Sequence, residues 1–184
     1  MPPANHNLPE TEMPITLGAA ALPVFTTALT NLAHLLDKAQ AHAEARQFSP
    51  DVFCTMRFAP DMLPFTAQIR IACDMAKNGS ARLAGIEAPK FEDKETTFAE
   101  LRERVAKTLA WLATLQPAQI DGREAAEITF PVGREATRTL IGQAYLLHWA
   151  IPNVFFHVTT AYDLLRQAGV PLGKADYLAG PNAG

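Results

Sequence analysis

Hydrophobic positions recur with the period of an α-helix through most of the chain. Between Ala20 and Gln47, apolar side chains follow one another at spacings of three and four residues, which draws one stripe along a helix. The stripe consists of Phe25, Ala28, Leu29, Leu32, Leu35, Leu36 and Ala39. The spacing predicts a long amphipathic helix in which Pro23 lies in the first turn or marks a small kink.

Two further stripes predict a second and a third long helix. The second is expected from Pro60 to Ala84, with Asp61 capping its N-terminus or complementing its dipole. The third follows the segment TFAE, Thr97 to Glu100, which has the sequence of a capping box, and Pro117 ends it. A short helical turn is predicted after Ser49, because Ser-Pro suits an N-cap and first turn.

The pattern changes between Ile120 and Ile141. Two short β-prone runs flank a glycine-containing turn in EITFPVGREATRTLIG, which predicts a β-hairpin. Residues Gly142 to Ile151 are predicted to form a short helix. Pro152 then restarts the chain as the fourth long helix, which ends near Ala168 with Gly169 after its C-terminus.

Helices with a single apolar stripe cannot bury that stripe separately. A four-helix bundle is the simplest packing that covers all four. The fold class expected is therefore all-α, a four-helix bundle with a small β-hairpin before the last long helix. Residues 16–180 are expected to form this single domain, and residues 1–15 a flexible N-terminal tail.

Composition narrows the classes of function. Of 184 residues, 48% are apolar and 19% charged, with a net charge of −3, as in ordinary soluble globular proteins. The sequence has no basic tract of the kind that would indicate a nucleic-acid partner. The apolar run near the N-terminus is short and broken by Pro23, which argues against a membrane partner. Cys54 and Cys73 form no disulfide framework, so buried, inert thiols in a reducing cytoplasm are expected.

Several enzyme classes lack their motifs. The segment VGREATRT does not end in the Lys-Ser/Thr pair of a phosphate-binding loop, and no G-x-S-x-G elbow occurs. Kinase, NTPase, dinucleotide-binding and α/β-hydrolase functions are therefore disfavoured. Four aromatic residues upstream of His157 either line a pocket or fill the core, and most of them are expected to fill the core. They are Tyr145, Trp149, Phe155 and Phe156.

His157 is the main candidate for chemistry. Two histidines four residues apart on a helix would indicate a metal site, but the position four residues before His157 is Asn153, and an amide is a poor ligand for zinc-like ions. His157 is thus either a metal ligand or a buried, hydrogen-bonded residue. Gln68 lies beside the second stripe, either pointing inward toward these residues or at the rim. His34 and His148 are expected to be partly buried packing residues.

The C-terminal segment resembles the last helix of the DinB/YfiT-like superfamily of four-helix bundles, many of which bind a metal through three histidines. Aligned on LLRQAGV, His157 matches the second histidine of the superfamily's helix pattern, and Asn153 stands in place of the first. The third ligand comes from the second helix, where Gln68 is the best match. The resemblance therefore implies that one ligand of three survives.

The chain is more closely similar to an uncharacterised bacterial and fungal family of that superfamily. The similarity covers almost the whole length, and that family carries no assigned activity. The segments that carry it are NLAHLLDKAQAHA, RFAPDMLPFTAQIRIACDMAK, ARLAG, TTFAELRERVAKTLAWL and PNVFFHVTTAYDLLRQAGVPLGKADYL.

Two functions follow as hypotheses. The first is a module without a cofactor that binds a small molecule, or has a structural or stress-related role, through a degenerate metal site. Its ligand-binding residues would be Gln68, Asn153 and His157, with Tyr162 and Asp61 nearby. The alternative is a transferase or hydrolase that uses nickel, zinc or iron on a thiol or other small substrate, with His157 as a metal ligand. A homodimer is expected if an apolar helix face is left uncovered.

Overall fold

The computed structural model describes residues 15–133 and 135–182. This part of the chain is mostly helical and carries one small two-stranded antiparallel sheet. The predicted tail, residues 1–15, lies outside the described residues except for Ile15. The coarse fold class expected from the sequence, helices with a hairpin before the last long helix, is therefore confirmed.

The first helix, α1, spans Leu17–Ala45. It begins three residues before the predicted start, because the Thr16 hydroxyl accepts a hydrogen bond from the Ala19 amide at 3.2 Å and caps it. Pro23 therefore lies inside the helix beyond its first turn, and its predicted first-turn position is wrong. Every member of the predicted stripe is buried, so the predicted core face is correct.

The second helix, α2, spans Phe65–Ala84 and begins five residues after the predicted Pro60. Asp61 consequently lies on an exposed part of the preceding loop and does not cap the helix, contrary to expectation. Pro64 occupies the N-cap position and offers no side-chain hydrogen bond. At the other end, Gly85 has φ of +70°, a left-handed C-cap that favours glycine.

The predicted capping features of the next segments are present. Ser49 caps a 3-10 turn at Pro50–Phe53, and the third helix, α3, spans Phe98–Leu112. The Glu100 amide donates to the Thr97 hydroxyl at 3.3 Å, and the Glu100 carboxylate accepts from the Thr97 amide at 2.9 Å. Amide hydrogen bonds from Thr96 and Thr97 lower the pKa of Glu100 to about 2, so this cap is charged at neutral pH.

The hairpin pairs β1, Glu127–Val132, with β2, Ala136–Ile141, in antiparallel register. Helix α4, Gly142–Tyr145, runs through a π-helical turn at Leu146–Ala150 into α5, Ile151–Gln167. A new helix was predicted to begin at Pro152, but the helical segments are continuous from Gly142 to Gln167, and Pro152 lies in the first turn of α5. The wider π-helical turn precedes the proline, whose ring would clash with a carbonyl of an ordinary α-helical turn.

The long helices pack in pairs around one core. Helix α1 contacts α3 and α5, and α2 contacts the same two helices. By length and apolar composition alone, α1 could cross a membrane. Its largest apolar side chains are buried in the core. These side chains are Phe25, Leu29, Leu32, Leu35 and Leu36.

The C-terminal segment 173–182, here called the C-terminal hook, folds back onto α1. It contains α6, Lys174–Ala179, and a 3-10 turn, Gly180–Asn182. The Asn31 amide donates to the carbonyls of residues 177 and 178 at 2.9 and 3.1 Å. His34 and Lys38 contact the Asp176 carboxylate at 3.0 and 2.8 Å. His34 is partly buried, as expected, and its partner makes it an anchor of the hook.

A buried arginine holds the loop between α2 and α3. Arg104 on α3 is 3% exposed and contacts carboxylates of Asp74, Asp93 and Glu95 at 2.8 to 3.1 Å. It also donates to the carbonyl of Glu92 at 3.1 Å. Since these partners come from α2 and from the loop, one side chain ties both to α3.

Candidate functional site

The structure brings together two of the predicted site residues, Gln68 on α2 and His157 on α5. Gln68 Oε1 lies 2.7 Å from His157 Nδ1, and the two residues are 2% and 8% exposed. The inward orientation of Gln68, one of the two alternatives that the sequence left open, is therefore correct. Helices α2 and α5 pack against each other, and the neighbouring residues Ile69 and Val158 are buried in the core, so the fold fixes this contact.

A second hydrogen bond fixes the orientation of the Gln68 amide. Its Nε2 donates to the backbone carbonyl of Leu63 at 3.0 Å, so its oxygen faces the imidazole. An amide oxygen only accepts hydrogen bonds, and His157 Nδ1 must therefore carry the proton. The opposite nitrogen, Nε2, is left with a free lone pair.

Burial keeps this imidazole neutral. Desolvation lowers the pKa of His157 to about 4, so the ring is uncharged at pH 7. The ring of Phe156 lies edge-on to it, with centroids 5.1 Å apart, and Phe156 is 57% exposed. The site thus holds a neutral imidazole beside a partly exposed aromatic ring.

The other predicted ligand-binding residues do not join this pair. The Asn153 amide donates to the carbonyl of Trp149 on its own helical segment at 2.7 Å. Tyr162 packs edge-on against Tyr177 of the C-terminal hook, with centroids 5.9 Å apart. Asp61 is exposed on the loop before α2. A ligand-binding role for these three residues stays a prediction.

The groups that could bind a metal or act as nucleophiles are dispersed. Within residues 15–133 and 135–182, His, Cys, Asp and Glu form no group of three that could hold a metal ion. His148 is exposed, which makes its predicted partial burial wrong. Cys54 and Cys73 are buried and unpaired, as expected, and burial raises the pKa of their thiols to about 11 and about 12. Neither thiol is therefore an effective nucleophile at neutral pH.

Sequence reasoning missed two contributors to the site. One is the carbonyl of Leu63, a backbone group that no side-chain pattern reveals. The other is Phe156, one of four aromatic residues of which most were expected in the core; Phe156 and Phe155 are 57% and 43% exposed. A signal for their exposure was available, because Phe156 and Phe155 lie about 100° and about 160° around the helix from His157, away from the face that His157 shares with the buried Ala161 and Leu164.

The geometry defines a helical protein with a buried histidine–amide pair between two packed helices, and comparison places it in a family. A model described as a domain of unknown function, DUF1993, matches residues 17–178. The crystal structure of a DinB family member protein from Shewanella denitrificans is 42% identical. The match covers 88% of this chain and 91% of that one, with a TM-score of 0.79. No curated protein matches the chain.

The chain therefore belongs to the DUF1993 family and has a DinB-like fold. The resemblance to an uncharacterised DinB-like family, noted from the sequence, is confirmed.

Proposed function

We propose that the protein is a small-molecule-binding module of the DinB-like four-helix-bundle type, with its polar site at Gln68 and His157 and without a metal. The observation that carries the proposal is the hydrogen bond of 2.7 Å between Gln68 Oε1 and His157 Nδ1. It uses the amide to orient the imidazole, and it leaves one acceptor nitrogen for a ligand.

The arrangement of the long helices supports the bundle. Helices α1 and α2 each contact both α3 and α5, as expected if the four form a ring with α1 opposite α2, and α1 and α2 also contact each other. The hairpin and the C-terminal hook lie at the outside of this ring through contacts with α4 and α1. This is the order expected of a bundle with long connections.

The chemistry of the pair selects the ligand. A neutral imidazole nitrogen accepts a hydrogen bond from a hydroxyl, amine or amide group, and the nearby ring of Phe156 suits an apolar portion. A ligand with one donor and one flat or branched apolar group fits these two features. A carboxylate is disfavoured, because His157 stays unprotonated and offers it no hydrogen.

One observation favours the metalloenzyme as a second candidate. A metal-bound histidine ordinarily donates its other ring N–H to an oxygen, as His157 Nδ1 does to Gln68. The oxygen of Gln68 is then occupied, and the Asn153 amide is already bonded to the Trp149 carbonyl. A metal held here would need its remaining ligands from water or from a thiol substrate.

Two measurements on the full chain separate the candidates. Elemental analysis after incubation with nickel, zinc and iron salts compares wild type, His157→Ala and the exposed control His148→Ala. Nuclear magnetic resonance then follows the backbone amide signals of α2 and α5, which all variants share, during titration with neutral alcohols, amines and amides. We expect no stoichiometric metal in any variant and fragment-induced shifts that His157→Ala removes. Near-stoichiometric metal that is lost only in His157→Ala would establish the metalloenzyme. If neither metal nor fragment binding is detected, His157 has a structural role.

A further inference from the structure

A concave site lies on a different side of α5 from His157. The C-terminal hook, α1 and α5 line an open cavity of about 430 Å³. Ala28 on α1 and Val158 on α5, both at least nine-tenths buried, contribute to its inner wall. Phe155 and Leu178 also line it and are 43% and 58% exposed, so apolar side chains stand at its mouth.

The polar groups of this cavity are largely used by the protein itself. Asn31, which lines it, donates both amide hydrogens to the carbonyls of Tyr177 and Leu178. Its oxygen is turned toward Gly180, where even an added Cβ would come within 2.2 Å of it. The side chains that line the cavity carry no formal charge. A charged ligand would thus lose its hydration without gaining a partner.

We propose that this cavity binds one small, uncharged and mainly apolar molecule, such as an aromatic or alicyclic compound. Its volume falls in the range of about 300 to 1,000 Å³ that is typical of small-molecule sites. Binding would cover the exposed parts of Phe155 and Leu178, and the free energy gained would scale with that apolar area. A molecule is favoured over a second copy of the chain because three elements surround a concave space, whereas a dimer needs a broad face.

The site is independent of the Gln68–His157 pair. His157 faces α2, where it contacts Gln68, whereas Phe155 and Val158 face α1 across the cavity. Residues two positions before and one position after His157 on a helix point away from it by about 100° or more. Failure of one proposal therefore leaves the other in place.

The neutral fluorophore N-phenyl-1-naphthylamine is a suitable probe, because its emission rises when it leaves water. Thr27 lines the cavity from an exposed position of α1, and Thr26 is exposed on the same helix but does not line it. Thr27→Trp should fill the cavity, and Thr26→Trp is its matched control. We expect one probe per chain, affinity lowered at least tenfold by Thr27→Trp, and a change below twofold for Thr26→Trp and His157→Ala.

Thermal unfolding of each variant verifies that it is folded, and light scattering gives its oligomeric state. Absence of probe binding, several weak sites per chain, or equal affinities of the two tryptophan variants would overturn the proposal. A second copy of the chain could instead occupy the cavity. In that case the affinity for the probe would fall as the protein concentration rises, and Thr27→Trp would dissociate a dimer. This pair of results would also overturn the proposal. Loss of binding in His157→Ala alone would assign the probe to the other site.

Discussion

Acidification should destabilise the protein through His157. Burial lowers the pKa of His157 from 6.5 to about 4. Between these two pH values the imidazole is mostly protonated in the unfolded chain and mostly neutral in the folded chain. Unfolding then takes up a proton between these two pH values, and the contribution of His157 to stability rises with pH across that window. The contribution is complete above pH 6.5 and lost progressively as pH falls toward 4.

The magnitude follows from the size of the shift. Each pKa unit corresponds to about 1.4 kcal/mol, so a shift from 6.5 to about 4 removes about 3 kcal/mol at the acid end of the window. At pH 5.5, one unit below the unfolded value, the loss should be about 1.4 kcal/mol. For a domain of ordinary stability, 3 kcal/mol is a large fraction of the free energy of unfolding.

Urea unfolding of wild type and His157→Gln at pH 7.5, 5.5 and 4 measures this loss. The glutamine amide can still donate to Gln68 Oε1 but does not titrate, and every other ionisable group is common to both chains. The difference between their free energies of unfolding therefore isolates His157. A difference that is constant with pH, or an imidazole that titrates near pH 6.5 by nuclear magnetic resonance, would refute the reasoning.

Three further predictions concern groups outside that site. Asn31→Ala should cost about 1 to 3 kcal/mol of stability through two lost hydrogen bonds, with faster amide hydrogen exchange in residues 174–179 than in α3. Arg104→Met should cost about 3 to 5 kcal/mol in chemical unfolding, because it leaves the partly buried Glu95 without its cation and Asp74 with Lys77 alone; a loss below 1 kcal/mol would contradict the packing role. Cys54 and Cys73 should fail to react with a thiol reagent at pH 7.5 in the folded state and react fully in denaturant.

The helical periodicity predicted the long helices because it reports burial directly. The stripe of α1 and the capping box at Thr97 and Glu100 were read from local patterns, and both are present. The start of α2 was misplaced because Pro60 resembles a helix start, whereas the loop closes through backbone hydrogen bonds and the helix begins after Pro64. Such bonds depend on the path of the chain and leave little signal in side-chain type.

Contacts between distant segments were harder to predict. Gln68 and His157 are 89 residues apart, and their pairing was one of two alternatives open to the sequence. The anchoring of the C-terminal hook was not predicted, because its partners Asn31 and Lys38 come from the opposite end of the chain. Local composition shows that a segment is polar or rich in glycine, but not that another helix will satisfy its backbone.

The Gln68–His157 pair gives a physical reason why replacing imidazoles by amides changes the chemistry of the site. A second histidine at position 68 would offer a lone pair to an ion, but a glutamine oxygen that already accepts the Nδ1 proton of His157 is better matched to that proton. Leu63 reinforces this choice by fixing the amide from its other end. The pair therefore satisfies two buried polar side chains by hydrogen bonding to each other, and under the proposed function the unprotonated nitrogen of His157 would accept a hydrogen bond from the ligand.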